Sequence, residues 1–131
     1  MPLNTNYINV DTNGNEWSQY DTTDATVYLA QSRFTPQEKE SGMLTISYNA
    51  VNTATAAAVN KLKLVRYKMI GGVTTLIGAT NVYNNADTGM TTIDVAATVQ
   101  GADIVLSITG LSAATIRHSI KVERLSSQLK F

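Results

Sequence analysis

Apolar residues recur at every second position along most of this chain, which is the period of a β-strand with one buried face. The clearest case is the run in which Ile104, Leu106 and Ile108 alternate with Val105 and Ser107. The same period is found in three further sets: Leu44, Ile46, Tyr48 and Ala50; Ile93, Val95, Ala97 and Val99; Ile116, Ile120 and Val122. The chain is therefore predicted to consist mainly of strands.

Two tight turns between these strands can be placed from glycine. Gly71-Gly72 separates the strand at 61–70 from the one at 73–77, and a glycine pair readily takes the positive φ angles of a tight hairpin turn. Gln100-Gly101-Ala102-Asp103 separates the strand at 92–99 from the one that begins at Ile104. Both pairs of strands are predicted to be antiparallel hairpins.

One segment favours a helix. Thr35-Pro36-Gln37-Glu38 has the order of a capping box with proline at the first helical position, and Gly42 would end the helix after about two turns. With the strands and turns, this predicts an all-β fold: an antiparallel β-sandwich, similar to a jelly roll, of about seven or eight strands and at most one short helix. A closed barrel is the main alternative.

The first part of the chain differs from the rest in composition. Asn, Thr, Asp and Gly crowd the first two dozen residues, and apolar periodicity is weak there. We predict a polar N-terminal arm at 1–24, able to pair with a neighbouring subunit, followed by a β-sandwich domain at 25–131. A chain of 131 residues is long enough to bury one core of this kind.

Charge and cysteine content limit which kinds of partner and which cellular compartment are expected. Ten basic and ten acidic residues cancel, so we expect neither nucleic acid nor an anionic membrane as a partner. Charged residues are only 15% of the chain, against about 25% in ordinary domains. There is no Cys, no secretory signal and no apolar run of bilayer length, which predicts folding in the cytoplasm.

The residues that could carry chemistry are few. His118 lies on the inward face of its strand and is more typical of a core or interface histidine than of a catalytic base. The segment 11–16 has oxygen ligands at alternate positions, but Glu16 stands where a calcium loop needs glycine and Thr22 where it needs a bidentate acid. An Asn-Gly turn is therefore favoured there, and no metal or cofactor is predicted.

Two further sets of charged residues are candidates for a catalytic or binding role. Glu16, Asp21 and Asp24 are candidates for paired carboxylates in a glycosidase, but acids in a polar loop are usually just solvated, so no catalytic residue is assigned and the chain is predicted not to be an enzyme. A basic run is interpreted as a solvated edge strand, where Lys discourages unwanted pairing, and binding of phosphate or of an acidic neighbour is the alternative. Its members are Lys61, Lys63, Arg66 and Lys68.

Aromatic and apolar residues near the two ends give the candidate contact sites. Trp17 and Tyr20, with Tyr7 nearby, either anchor the polar segment against the domain or form a platform on which sugar rings stack; anchoring is favoured. Leu129 and Phe131 are apolar groups that would gain from contact with a partner. The candidate partner or glycan contacts are Trp17, Tyr20, Leu129 and Phe131.

Three segments in the second half carry a family resemblance. The segments are 65–78, 101–110 and 115–123. They contain, in order, a strand, a glycine turn, an Asp-apolar-apolar strand ending in Thr109-Gly110, and a charged alternating strand. This order resembles small β-sandwich structural proteins of tailed bacteriophages. The resemblance implies a virion subunit made in the host cytoplasm, which acts through contacts with copies of itself and with other virion proteins such as the major capsid protein.

Two main functions follow as hypotheses, and a small glycosidase or lyase is the third and least favoured. The first is a non-enzymatic virion protein, either an auxiliary or decoration subunit of the capsid or a short head or tail fibre component, working as a homo-oligomer. The alternative is a carbohydrate-binding, receptor-binding β-sandwich module with a host surface glycan as its partner.

Overall fold

The computed structural model describes residues 3–11 and 15–127, and within these ranges it contains nine strands and no helix. In chain order they are β1 (Leu3–Val10), β2 (Glu16–Thr22), β3 (Val27–Phe34), β4 (Ser41–Asn52), β5 (Ala58–Ile70), β6 (Val73–Ala86), β7 (Asp94–Gln100), β8 (Asp103–Thr109) and β9 (Ile116–Ser126). No helix in these ranges is long and apolar enough to cross a membrane.

The strands form two antiparallel sheets. The large sheet has the order β1-β2-β9-β4-β5-β6, and the small sheet has the order β3-β8-β7. The predicted all-β sandwich is confirmed, with nine strands in the described part of the chain where about seven or eight were expected. The face of the large sheet turned toward the small sheet is called its inner face, and the opposite one its outer face.

The core lies between the two sheets. The period-two pattern sends Leu44 and Ile46 of β4 and Ile116 of β9 to the inner face, where they are buried. The small sheet contributes Val95 and Ile108, which are completely buried. Removing this apolar surface from water is the main stabilising term of the fold.

Both predicted hairpins are present. Gly71 and Gly72 have φ angles of 62° and 77°, the left-handed pair that a two-residue turn between β5 and β6 requires. Gly101, with φ of 64°, and Ala102 form the corresponding turn between Gln100 and Asp103. Local glycine chemistry was therefore sufficient to locate these turns.

The helix predicted after Thr35 is wrong. Lys39 is left-handed, with φ of 64°, and β4 begins two residues later. The Glu38 carboxylate accepts hydrogen bonds from the backbone N–H groups of Gly71 and Gly72, at 2.9 and 3.0 Å. A carboxylate that caps the β5–β6 turn is not available to cap a helix of its own, so a tertiary contact has replaced the local one.

The described part of the predicted N-terminal arm lies within the large sheet. β2 is hydrogen-bonded to β1 on one side and to β9 on the other, with Trp17 opposite Lys121 and Tyr20 opposite His118. Pairing of this segment with a neighbouring subunit stays a prediction. Leu129 and Phe131 lie outside the described residues.

Replacing Gly42 by alanine is expected to destabilise the fold by about 1–3 kcal/mol, as overpacking of a core does. A Cβ at Gly42 would overlap the Tyr67 ring and hydroxyl on the neighbouring strand. Urea denaturation measures the change. Gly78→Ala is the matched control, because nothing lies within 4 Å of a Cβ at Gly78; equal midpoints for the two variants would contradict the prediction.

Candidate functional site

Two cross-strand rows of side chains run over the outer face of the large sheet. Each residue in a row is the direct register partner of the next, from β1 through β2, β9, β4 and β5 to β6. The tryptophan row is Asn9, Trp17, Lys121, Ser47, Leu62 and Tyr83. The amide row beside it is Tyr7, Gln19, Ser119, Asn49, Asn60 and Asn85. With strands about 4.8 Å apart, each row spans roughly 24 Å.

The residues of these rows face outward because their neighbours in sequence face the core. In β2 the even positions are buried, including Ser18 and Tyr20, so the odd positions Trp17 and Gln19 lie on the outer face. In β9 the same alternation buries Ile120 and turns Ser119 and Lys121 outward. The apolar core thus determines the polar character of the opposite face.

A shallow groove of about 310 Å³ lies over the rows, from β1 and β2 across β9 and β4 to β5. Tyr7, which is 48% exposed, and Trp17 stand at one side of it. Ser47, Asn49, Leu62, Ser119 and Lys121 contribute to its lining. The outer-face residues of the groove therefore combine two aromatic rings with hydroxyl and amide groups and the amine of Lys121.

Hydrogen bonds hold the polar side chains of the amide row in place. Gln19 Nε2 donates to Ser119 Oγ at 3.2 Å, and Asn60 Nδ2 donates to Asn49 Oδ1 at 2.6 Å. Asn6 Nδ2 donates to Gln19 Oε1 at 3.1 Å. A side-chain amide has two N–H donors and two acceptor lone pairs, so these bonds leave further donors and acceptors on Gln19, Asn49 and Asn60.

Lys121 extends over the indole of Trp17, with its Nζ 5.6 Å from the ring centroid. The same amine is 3.6 Å from the Glu123 carboxylate, and both side chains are exposed. An exposed cation–π contact of this kind contributes about 0.5–1 kcal/mol. Such a weak contact lets the amine move aside for a ligand that stacks on Trp17.

The structure separates the two aromatics that the sequence paired. Trp17 lies on the outer face, whereas Tyr20 is on the inner face of the same strand with 0% exposure. Residues three apart in a strand point to opposite sides, so they cannot form one platform. Tyr7 of β1, one strand away from Trp17, lines the same groove instead.

His118 is a buried core histidine, as its inward position predicted. Its Nε2 is 2.9 Å from Thr22 Oγ1 and its Nδ1 is 2.5 Å from the Tyr48 hydroxyl. Burial lowers the pKa of His118 to about 4, so the ring is neutral at pH 7. Both of these partners are hydroxyls, and no carboxylate shares in the bonds.

The three candidate carboxylates do not form a pair of the kind a glycosidase uses. Glu16 lies on the inner face and Asp21 on the outer face of β2, while Asp24 lies in the following turn and accepts from the Tyr28 hydroxyl. Hydrogen bonds from the Arg117 guanidinium, at 3.0 and 3.1 Å, hold the pKa of Asp21 below its usual value.

Glu16 accepts a hydrogen bond from the Ser32 hydroxyl, and burial raises the pKa of its carboxyl group. It lines a cavity of about 190 Å³ between the two sheets, whose other walls include Phe34, Leu44, Ile104 and Arg124. This cavity is on the opposite side of the large sheet from the groove, so the two do not form one site.

The prediction that the basic run is an edge strand is wrong. β5 lies between β4 and β6, and Lys61 and Lys63 both point to the inner face, where they contact Asp94 Oδ1 at 2.9 and 2.7 Å. Burial alone would raise the pKa of Asp94, but its bonds to the two lysines hold that pKa below the usual value. Arg66 and Lys68 do lie exposed on the outer face.

The calcium-like segment falls partly outside the described residues. Of its members, Asp11 accepts a hydrogen bond from the backbone N–H of Asn15 at 3.0 Å. Within 3–11 and 15–127 no three His, Asp or Glu side chains lie together as a metal site.

No protein-family model and no curated protein matches this chain. Among solved structures it is similar to three phage tailspike proteins. Gp49 of the Acinetobacter baumannii bacteriophage Fri1, a capsular polysaccharide depolymerase, has 14% identity and a TM-score of 0.44 over 92% of this chain and 19% of that one. The Acinetobacter phage vB_ApiP_P1 tailspike has 13% identity and a TM-score of 0.43 over 95% and 22%. The tailspike of A. baumannii phage AM24 has 12% identity and a TM-score of 0.35 over 82% and 27%.

The chain thus spans about a fifth to a quarter of the length of these tailspikes. All three are tailspike proteins of bacteriophages. The prediction that the chain is not an enzyme is contradicted, because the Fri1 tailspike is a depolymerase.

Proposed function

We propose that this chain is a bacteriophage virion protein that binds polysaccharide through the outer face of its large sheet. The observation that carries the proposal is the placement of Trp17 and Tyr7 at one groove, beside an amide row that crosses the whole sheet. The tryptophan row and the amide row form the binding strip.

The chemistry of the strip suits a sugar chain. A pyranose ring has an apolar face of C–H groups that packs on an indole or phenol ring, and aromatic side chains provide large contact areas with a polar edge. Its hydroxyls need neutral donors and acceptors, which Gln19, Asn49 and Ser119 provide. A strip of roughly 24 Å, six strands wide, is long enough for several sugar units in a row.

The charge of the strip also fits this ligand. Across the twelve residues of the two rows only Lys121 carries a charge. A nucleic-acid site of this length would need several cations to neutralise phosphates. A neutral, amide-rich surface with exposed aromatics instead favours ligands that are rich in hydroxyl groups.

A fibre position fits this function better than a capsid position. A polysaccharide-binding face is useful where the particle meets the bacterial surface, which is the role of fibres and not of decoration subunits. We therefore propose a short tail or head fibre component, with a surface polysaccharide of the host as its partner.

Trp17→Ala is expected to weaken polysaccharide binding at least about tenfold, the typical effect of removing an aromatic anchor from a contact surface. Binding is measured by retention on a panel of bacterial capsular polysaccharides, the class of substrate on which the Fri1 tailspike acts. Release of reducing ends in the same wells measures any cleavage of the bound chain.

Tyr20→Phe is the matched control, since Tyr20 is on the buried face and its variant should bind as the unaltered chain does. Tyr7→Ala should weaken binding in the same assay. No retention of the unaltered chain on any polysaccharide, or equal losses for the Trp17 and Tyr20 variants, would rule out the outer face as the binding site.

A further inference from the structure

β6 is a long, free edge of the large sheet. It has 14 residues, and among the strands of residues 3–11 and 15–127 it pairs only with β5, along one side. Residues 77–85 are all exposed. In an edge strand, alternate N–H and C=O groups point away from the sheet, ready to pair with another strand.

Most of the features that prevent an edge strand from pairing with another chain are missing from β6. Its sequence, VTTLIGATNVYNNA, contains no charged residue and no proline. Ile77 and Val82 are 41% and 55% exposed, and Val73 and Tyr83 are exposed too. The one protective feature present is a pair of β-bulges, where the register with β5 skips a residue.

The two bulges lie in opposite halves of β6. The register with β5 skips Val82, between Tyr83 and Asn81, and Ile77, between Gly78 and Leu76. Ile77 is two residues before Ala79 and Val82 three residues after it, so one bulge lies on each side of Ala79. When two copies of β6 pair antiparallel, each half of the pairing therefore contains one extra residue from each strand. The two extra residues offset each other, so the register is kept.

We propose that β6 pairs antiparallel with β6 of a second copy of this chain, around a twofold axis at Ala79. Beyond the central segment, one strand contributes Ile77 and the other Val82 as the extra residue, so Thr75 meets Tyr83 of the second copy. Both of these residues lie opposite outer-face positions of β5, Lys68 and Leu62, so their side chains fall on the same face. Two bulges on the same side of Ala79 would leave that half of the ladder out of register.

The same contact buries apolar surface without setting like charges against each other. Ile77 of each copy comes beside Val82 of the other at two places related by the axis, and the uncharged strand meets itself without repulsion. The two large sheets then become one continuous sheet. This contact uses the edge of the sheet and does not depend on what binds the outer face.

Introducing a charge at Ala79, on the twofold axis, tests the pairing. Ala79 is exposed and would face its own copy, so Ala79→Lys and Ala79→Glu should each weaken dimer formation at least about tenfold, measured by sedimentation equilibrium. An equal mixture of the two variants should restore the dimer, which shows that both are folded. Asn4→Lys, an equally exposed change on the other edge strand β1, should leave the dimer intact.

Cross-linking gives an independent readout, because the chain has no native cysteine. Residues directly opposite in antiparallel strands have Cα atoms about 4.5–5.5 Å apart, within the range of a disulfide. Ala79→Cys should therefore oxidise to a covalent dimer, whereas Asn4→Cys should not. A monomer at all concentrations, a dimer insensitive to both charge variants, or equal cross-linking at the two positions would overturn the proposal.

Discussion

Replacing Arg124 by methionine is expected to lower the free energy of unfolding by about 3–5 kcal/mol, because it leaves the buried carboxylate of Glu40 without its charge partner. Glu40 is 1% exposed, and Arg124 Nη2 donates to its Oε2 at 2.6 Å. The Tyr67 hydroxyl donates to the same oxygen at 2.6 Å, and the backbone N–H of Gln37 donates to Oε1 at 2.9 Å.

The pKa of Glu40 shows how this network compensates burial. Burial alone would raise that pKa, yet the bonds from Arg124, Tyr67 and Gln37 hold it below its ordinary value. The guanidinium also lies over the Phe34 ring, 4.1 Å from its centroid, so methionine keeps part of the apolar packing and removes the charge. The expected loss is therefore mainly electrostatic.

Urea denaturation of a double-mutant cycle measures the coupling. Glu40→Gln combined with Arg124→Met should be less destabilised than the sum of the two single variants, since no unpaired charge remains buried. Arg117→Met is the matched control: the Arg117 side chain is 46% exposed and its partner Asp21 is partly exposed on the outer face, so the loss should stay within about 1 kcal/mol. Equal losses for the Arg117 and Arg124 variants would contradict the prediction.

The strands and hairpins could be predicted because they follow from local chemistry. Alternation located the buried face of β8, and the Gly71-Gly72 pair located the turn after β5. Strand neighbours depend on contacts between distant parts of the chain. β9 lies between β2 and β4, so Lys121 faces both Trp17 and Ser47, and no local pattern indicates this.

Two errors in the predicted contacts have a common physical cause. The capping box after Thr35 is a local signal, but the Glu38 carboxylate has distant N–H partners in the β5–β6 turn. The basic run predicts that Lys63 lies on a solvated edge strand, but Asp94 of the small sheet supplies its counter-charge in the interior. Tertiary partners decide where a charged side chain lies, and a single sequence does not reveal them.

The binding strip was missed for a different reason. The period-two rule separates Trp17 from Tyr20, but the weak apolar periodicity of 1–24 favours an arm over a strand in that segment. Applying the rule would have placed Trp17 and Gln19 on one face and Ser18 and Tyr20 on the other. Tyr7 and Asn49 could be added only once the strand order was known.

Lowering the pH from 7 to 4 is expected to cost about 3 kcal/mol of stability through His118 alone. Burial depresses its pKa from an ordinary 6.5 to about 4, so between these values the unfolded chain binds a proton that the folded chain does not. The stabilisation is fully present above pH 6.5 and is lost as the pH falls through about 4. Urea denaturation at a series of pH values measures the slope.

His118→Gln should remove most of this slope between pH 6.5 and 4.5, whatever the variant costs in absolute stability. Asp21, Asp94 and Glu40 have lowered pKa values, so their contributions are lost only at more acidic pH. Glu16 acts in the opposite sense, because its raised pKa makes the folded state take up a proton first as the pH falls, and Glu16→Gln removes that gain. A slope in this window that survives His118→Gln would show that the imidazole is not the group being titrated.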